Sequence, residues 1–124
     1  MVNQGHITYK RALVNSAASG DRVLVTAVAN NRIQVHAVCL VSDSATKGTI
    51  RFESEGGGTA LSGVIEMGHD DGTRIRPTTF LLPFSEVPWM VTDEEALATD
   101  DDLSLEVGGS AIDGVIIYSL LQVR

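Results

Sequence analysis

The sequence has little of what disulfide-bonded, thiolate-ligated and catalytic proteins are built from. Its 124 residues include one cysteine, Cys39, which excludes an intrachain disulfide and a tetrathiolate metal site. Cys39 lies in the apolar run 35–41, and we predict that it fills the core instead of acting as a reactive thiol. None of the histidines, His6, His36 and His69, stands near a recognisable nucleophile motif. We therefore expect a protein that is not an enzyme and binds no cofactor.

Basic residues and long hydrophobic runs are also scarce. The 9 Lys and Arg residues are scattered, 16 Asp and Glu residues outnumber them, and the formal charge is -7. Such a field repels nucleic-acid phosphates and anionic membranes, so neither is an expected partner. No apolar run approaches the roughly 18 residues of a membrane span, and the first residues do not resemble a secretory signal. We expect a soluble protein made in the cytoplasm.

The chain consists instead of short β-branched runs closed by Gly, Asn, Asp or Ser, with turn signals about every ten residues. This pattern is typical of an all-β protein, a two-sheet sandwich or a barrel with eight or nine short strands. At this length we expect one domain.

Three of the strands can be placed in more detail. Residues 32–41 predict a central strand with Ile33, Val35, Ala37, Cys39 and Val41 on one face. Residues 48–54 predict a strand with Ile50 and Phe52 inward and its other face wet. The Asn30-Asn31 pair predicts a tight hairpin turn between 22–28 and 32–41, since asparagine tolerates the left-handed conformation.

The final strand, 115–123, is apolar on both faces. Ile116, Tyr118 and Leu120 oppose Val115, Ile117, Leu121 and Val123. The outer face of a sandwich strand is normally polar, so an apolar outer face predicts cover by another subunit. We therefore expect a homo-oligomer.

The remaining polar and aromatic features favour structural interpretations. The loop at His69-Asp70-Asp71 and the acidic run 100–102 lack the spaced oxygen ligands of a Ca²⁺ loop, so we predict no metal site. The run Gly56-Gly57-Gly58 lacks the Lys and Ser/Thr of a phosphate loop and predicts a turn. Trp89, which lies near prolines and could stack on a sugar, is more often a core residue in such a setting.

Several segments in a fixed order resemble a family of small virion proteins of tailed phages. They are residues 14–21, 28–33, 50–54, 57–63, 81–84, 88–92, 95–97, 103–105 and 107–109, followed by Tyr118. The chain departs from the family at 88–90, where a glycine and aromatic pair is more usual, and at 100–102, which enlarges a loop.

The resemblance implies a jelly-roll-like sandwich of about eight strands over residues 14–124, with 1–13 as an N-terminal arm or edge strand. It also implies a homotrimer that decorates the outer capsid surface, binds the major capsid protein and stabilises the shell as a cement protein. The alternative is a tail or baseplate module that binds a host glycan. The predicted oligomer or capsid contacts are His6, Ile7, Tyr9, Arg11, Leu13, Val115, Ile117 and Tyr118.

Overall fold

The structure is a computed structural model that describes residues 7–17, 19–42, 47–54, 59–70, 75–76, 78–92 and 102–122. Every regular element within these ranges is a β-strand. The described part of the chain has no helix with the length and hydrophobicity that a membrane crossing requires.

Twelve strands follow one another through these described ranges. They are β1 (Lys10–Ser16), β2 (Gly20–Val25), β3 (Asn31–Ser42), β4 (Gly48–Ser54), β5 (Thr59–Ala60), β6 (Ile65–Met67), β7 (His69–Asp70), β8 (Ile75–Arg76), β9 (Thr79–Leu82), β10 (Met90–Val91), β11 (Leu103–Gly108) and β12 (Ile112–Gln122). Four of the twelve, β5, β7, β8 and β10, have only two residues, which leaves eight longer strands. The two main sheets hold ten of the twelve strands, close to the eight that the sequence predicts.

The strands form two five-stranded antiparallel sheets and a separate two-stranded ribbon of β7 and β8. Sheet A has the order β1-β12-β3-β10, with β9 also paired to β3. Sheet B has the order β2-β11-β4-β5, with β6 also paired to β4. The first four strands therefore alternate between the two sheets. The last two strands then insert between them within each sheet: β11 lies between β2 and β4, and β12 lies between β1 and β3. This winding confirms the predicted jelly-roll-like sandwich.

The core lies between the two sheets and draws equally on both. Sheet A contributes Val14, Ile33, Val35, Val38, Leu40, Ile112 and Ile116, and sheet B contributes Val25, Ile50, Phe52, Met67, Leu103, Leu105 and Val107. Leu103, Leu105 and Val107 lie on one face of β11 because side chains alternate along a strand. Phe52 is the largest fully buried side chain.

A β-bulge at His36 corrects the predicted alternation of β3. Ile117 of β12 pairs with Ala37, whereas Tyr118 pairs with Val35, so His36 is the extra residue. The bulge changes which alternate residues of β3 face the core, from odd-numbered positions before His36 to even-numbered positions after it. Val38 and Leu40 enter the core after it, together with Ile33 and Val35 before it, whereas Ala37, Cys39 and Val41 face away. Cys39 is therefore half-buried on the outer face and not a core residue.

The turn at Asn30 is confirmed, but the hairpin predicted around it is wrong. Asn30 has a φ of 64°, and the Asn31 amide donates a hydrogen bond to the Val28 carbonyl at 3.0 Å. The strands on either side nevertheless belong to different sheets, since β2 pairs with β11 and β3 pairs with β12. The turn is a corner of the sandwich.

Several predicted loops fall outside the described residues. These are the Gly56-Gly57-Gly58 turn, residues 71–74 of the loop after His69, and Asp100 and Asp101 of the acidic run. Within the described residues, His69 and Asp70 form β7 instead of a loop, and Asp102 accepts a hydrogen bond from the Ala27 amide.

Candidate interaction surface

The outer face of sheet A carries a row of apolar side chains across four strands. Leu13 of β1 pairs with Val115 of β12, Val115 pairs with Cys39 of β3, and Cys39 pairs with Leu81 of β9. All four point away from the core, because each alternates with a residue that packs into it or against it. We call Leu13, Val115, Cys39 and Leu81 the apolar row.

The two ends of the apolar row are strongly exposed. Leu13 is 73% exposed and Leu81 is 61% exposed. The next row along the sheet, Arg11, Ile117 and Ala37, adds two more apolar side chains. An outward face in water is normally polar, and contiguous apolar surface on a soluble protein marks an interaction site.

An aromatic cluster of Tyr9, His36 and Phe84 continues this face. The ring of Tyr9 meets those of His36 and Phe84 edge-on, each with a centroid distance of 5.0 Å, and the His36 and Phe84 rings stack at 6.1 Å. His36 is buried, but Tyr9 is 39% exposed and Phe84 is 53% exposed. The bulge places the imidazole here, and two partly exposed aromatic rings lie over it.

His36 is held by hydrogen bonds at both ring nitrogens. Nδ1 lies 2.8 Å from the Ser85 carbonyl oxygen, to which it donates, and Nε2 lies 2.7 Å from Ser119 Oγ. Ser119 Oγ also lies 3.1 Å from Gln34 Oε1. A serine hydroxyl beside an imidazole has the composition of a nucleophilic pair. Here Ser119 and His36 are each 1% exposed, so the pair is closed to a substrate and orders the outer face.

Ser119 was missed as a partner of His36 by sequence reasoning. The two residues are 83 positions apart, and their contact depends on the bulge and on the pairing of β3 with β12. Neither feature leaves a local signal in the sequence. Leu81 and Phe84 were also missed, although the apolar stretch 81–84 has no polar alternate residue and could have indicated a strand end that is apolar on both faces.

The predicted contact residues fall into different places. Arg11, Leu13, Val115 and Ile117 lie together on the outer face of sheet A, and Tyr9 lies in the aromatic cluster beside them. Ile7 is 60% exposed. Tyr118 lies on the inner face of β12 and packs against the core, and His6 lies outside the described residues. The domain division stays a prediction, and β1 crosses its boundary at position 13.

Trp89 is not the core residue that its position near prolines predicts. It is 48% exposed, and its indole Nε1 donates a hydrogen bond to the Pro83 carbonyl oxygen at 2.8 Å. The Trp89 amide donates to the Val35 carbonyl, also at 2.8 Å, which fixes the segment against β3. The indole nitrogen of Trp89 therefore has a hydrogen-bond partner, and much of the indole ring remains accessible to solvent.

The outer face of sheet B is charged instead of apolar. Asp21 of β2, Glu106 of β11 and Arg51 of β4 form a paired row across three strands, and Glu53 is the next outward residue on β4. Arg51 Nη2 binds Glu53 Oε2 and lies 3.5 Å from Glu106 Oε2. The hydrogen bond to Glu53, followed by the charge of Glu53, raises the pKa of Arg51 above its usual value. The two outer faces therefore differ in chemistry.

Comparison of the chain with protein-family models, with curated protein sequences and with solved structures finds no match.

Proposed function

We propose that this protein is a structural module of a phage virion that assembles through the outer face of sheet A. In this proposal it forms a homotrimer on the outer surface of the capsid, binds the major capsid protein and stabilises the shell. The observation that carries the proposal is the apolar row, which spans four strands and is exposed at both ends.

The energetics of such a surface support an adhesive role. Burying a leucine side chain is worth about 1.5–3 kcal/mol, so an interface that covers Leu13 and Leu81 gains several kcal/mol before entropy costs. A trimer presents three copies of any capsid contact, and linked contacts convert weak single affinities into strong attachment. A partner that binds only the assembled shell stabilises the shell by mass action.

The self-association part of the proposal is tested by placing charge in the apolar row. We expect Leu13→Glu combined with Leu81→Glu to weaken assembly by about a hundredfold or more, since each substitution places a carboxylate in a dry contact. The measurement is molar mass by light scattering across a dilution series. Val64→Glu is the matched control, because Val64 is 64% exposed in the segment before β6 of sheet B. A wild-type protein that is monomeric at micromolar concentration contradicts the proposal.

The capsid part is tested by imaging the virion by cryo-microscopy. Density for the sandwich over the shell faces, with sheet A toward a neighbouring copy or the shell, is the expected result. Density confined to the tail overturns it and favours the second candidate, a tail module that binds a host glycan. The observation in favour of that candidate is Trp89, whose half-exposed indole could stack on a sugar ring.

A further inference from the structure

We propose that Asp21, Glu53 and Glu106 on the outer face of sheet B form a binding site for a divalent cation, with Ca²⁺ as the best-suited ion. The three carboxylates come from β2, β4 and β11, so a bound ion would link three adjacent strands of the sheet. This inference is independent of the proposed virion role.

The geometry suits one ion. A carboxylate oxygen from each of the three residues lies within 4.8 Å of the others. Oxygen ligands bind Ca²⁺ at about 2.3–2.6 Å, so two ligands on opposite sides of the ion are about 4.6–5.2 Å apart. Asp21 and Glu106 are exposed, which leaves room for water to complete the coordination shell. An all-oxygen ligand set with solvent access favours Ca²⁺ or Mg²⁺ over thiophilic metals.

Glu53 provides a second and independent observation. Its side chain is fully buried, and Glu53 Oε1 has no hydrogen-bond partner among the residues that the structure describes. Glu53 Oε2 is already bound by Arg51. A buried carboxylate oxygen without a donor or cation is costly, and one oxygen of the Glu53 carboxylate lies within 4.8 Å of a carboxylate oxygen of Asp21 and of Glu106. A cation bound by this carboxylate would supply the missing partner.

Charge balance points to a divalent ion. Three carboxylates and the Arg51 guanidinium leave a net charge of about -2 at neutral pH, which one divalent cation neutralises. Arg51 binds Glu53 and lies near Glu106, so it holds these carboxylates in place but also repels an incoming ion. If the cluster is only a cross-strand ion pair, Arg51 accounts for all of its chemistry. A cation site and a simple ion pair therefore predict different effects of removing Arg51 on stability and on Ca²⁺ binding.

The experiment is a calorimetric Ca²⁺ titration of the full chain after treatment with chelator, together with thermal melting in Ca²⁺ and in chelator. We expect binding of one ion with a dissociation constant of about 10⁻⁴–10⁻³ M, the range of weak extracellular Ca²⁺-binding modules, and a higher melting temperature in Ca²⁺. Asp21→Asn and Glu106→Gln should each weaken binding at least tenfold. Asp113→Asn is the matched control, because Asp113 is on sheet A, and it should leave binding unchanged.

Arg51→Met separates the cation site from the ion pair. For a cation site we expect lower stability in chelator, tighter Ca²⁺ binding than in the wild type, and recovery of the melting temperature in Ca²⁺. For an ion pair alone, the loss of stability persists in Ca²⁺. No heat of binding at millimolar Ca²⁺, or equal binding by the wild type and the Asp21→Asn and Glu106→Gln variants, overturns the proposal. Both of these variants change exposed side chains, so the test does not depend on the buried Glu53.

Discussion

Phe52→Ala is expected to lower the free energy of unfolding by about 3–5 kcal/mol, a large part of the roughly 5–15 kcal/mol that stabilises a domain. Phe52 is 0% exposed and is the largest fully buried side chain of the sandwich. It projects from β4, beside Leu105 of β11, into the space between the sheets. Truncation removes its transfer free energy and leaves a cavity between two sheets that cannot easily close over it.

The measurement is chemical unfolding followed by circular dichroism, with Phe84→Ala as the matched control. Phe84 is 53% exposed and contributes mainly the ring contacts of the aromatic cluster, so its truncation should cost only about 1 kcal/mol. Equal losses for the two variants would show that Phe52 is not the centre of the core. Retention of the slope of unfolding free energy against denaturant would show that both variants unfold from the same compact state.

Gly114→Ala is expected to destabilise the protein by about 2–3 kcal/mol or more, although it adds a single methyl group. Gly114 has a φ of 156° and pairs with Val14 on one side and Leu40 on the other. A β-carbon built there would lie 2.0 Å from the Cys39 carbonyl oxygen and 2.9 Å from Leu40 Cα. These are backbone atoms of a central strand, so β12 would have to separate from β3.

Gly63→Ala is the control for this substitution, because a β-carbon at Gly63 meets nothing within 4 Å. We expect its free energy of unfolding to stay within about 0.5 kcal/mol of the wild type. Thermal melts of the two variants, recorded side by side, check the difference. If Gly114→Ala melts together with Gly63→Ala, the close approach of β12 to β3 is wrong.

The strands could be predicted from the sequence because their patterns are local. The alternation of Leu103, Leu105 and Val107 placed β11, and Ile50 and Phe52 placed the inner face of β4. The outward residues of β4 were expected to be wet, yet Glu53 is fully buried. Alternation of apolar and polar residues along a strand predicts which side chains share a face, but it does not predict what covers that face.

The connections and the candidate sites could not be predicted, because they depend on pairings between distant residues. The Asn30 turn looks the same in sequence whether it closes a hairpin or crosses between sheets. The bulge at His36 follows from its register with β12, and the same pairing brings Ser119 to the imidazole. The apolar row likewise takes one residue from each of four strands, so it exists only after those strands are aligned.

The position of β12 imposes an order on how this protein can be made. β12 is the last of the described strands, yet it lies between β1 and β3, and it is the strand of sheet A with which β1 pairs among the described residues. A nascent chain on the ribosome therefore carries β1 and β3 before the strand that joins them has been made. Sheet A closes only after β12 has emerged, and its rate of closing is limited by a search between strands that are distant in sequence. Until then the unpaired strands need protection from premature aggregation.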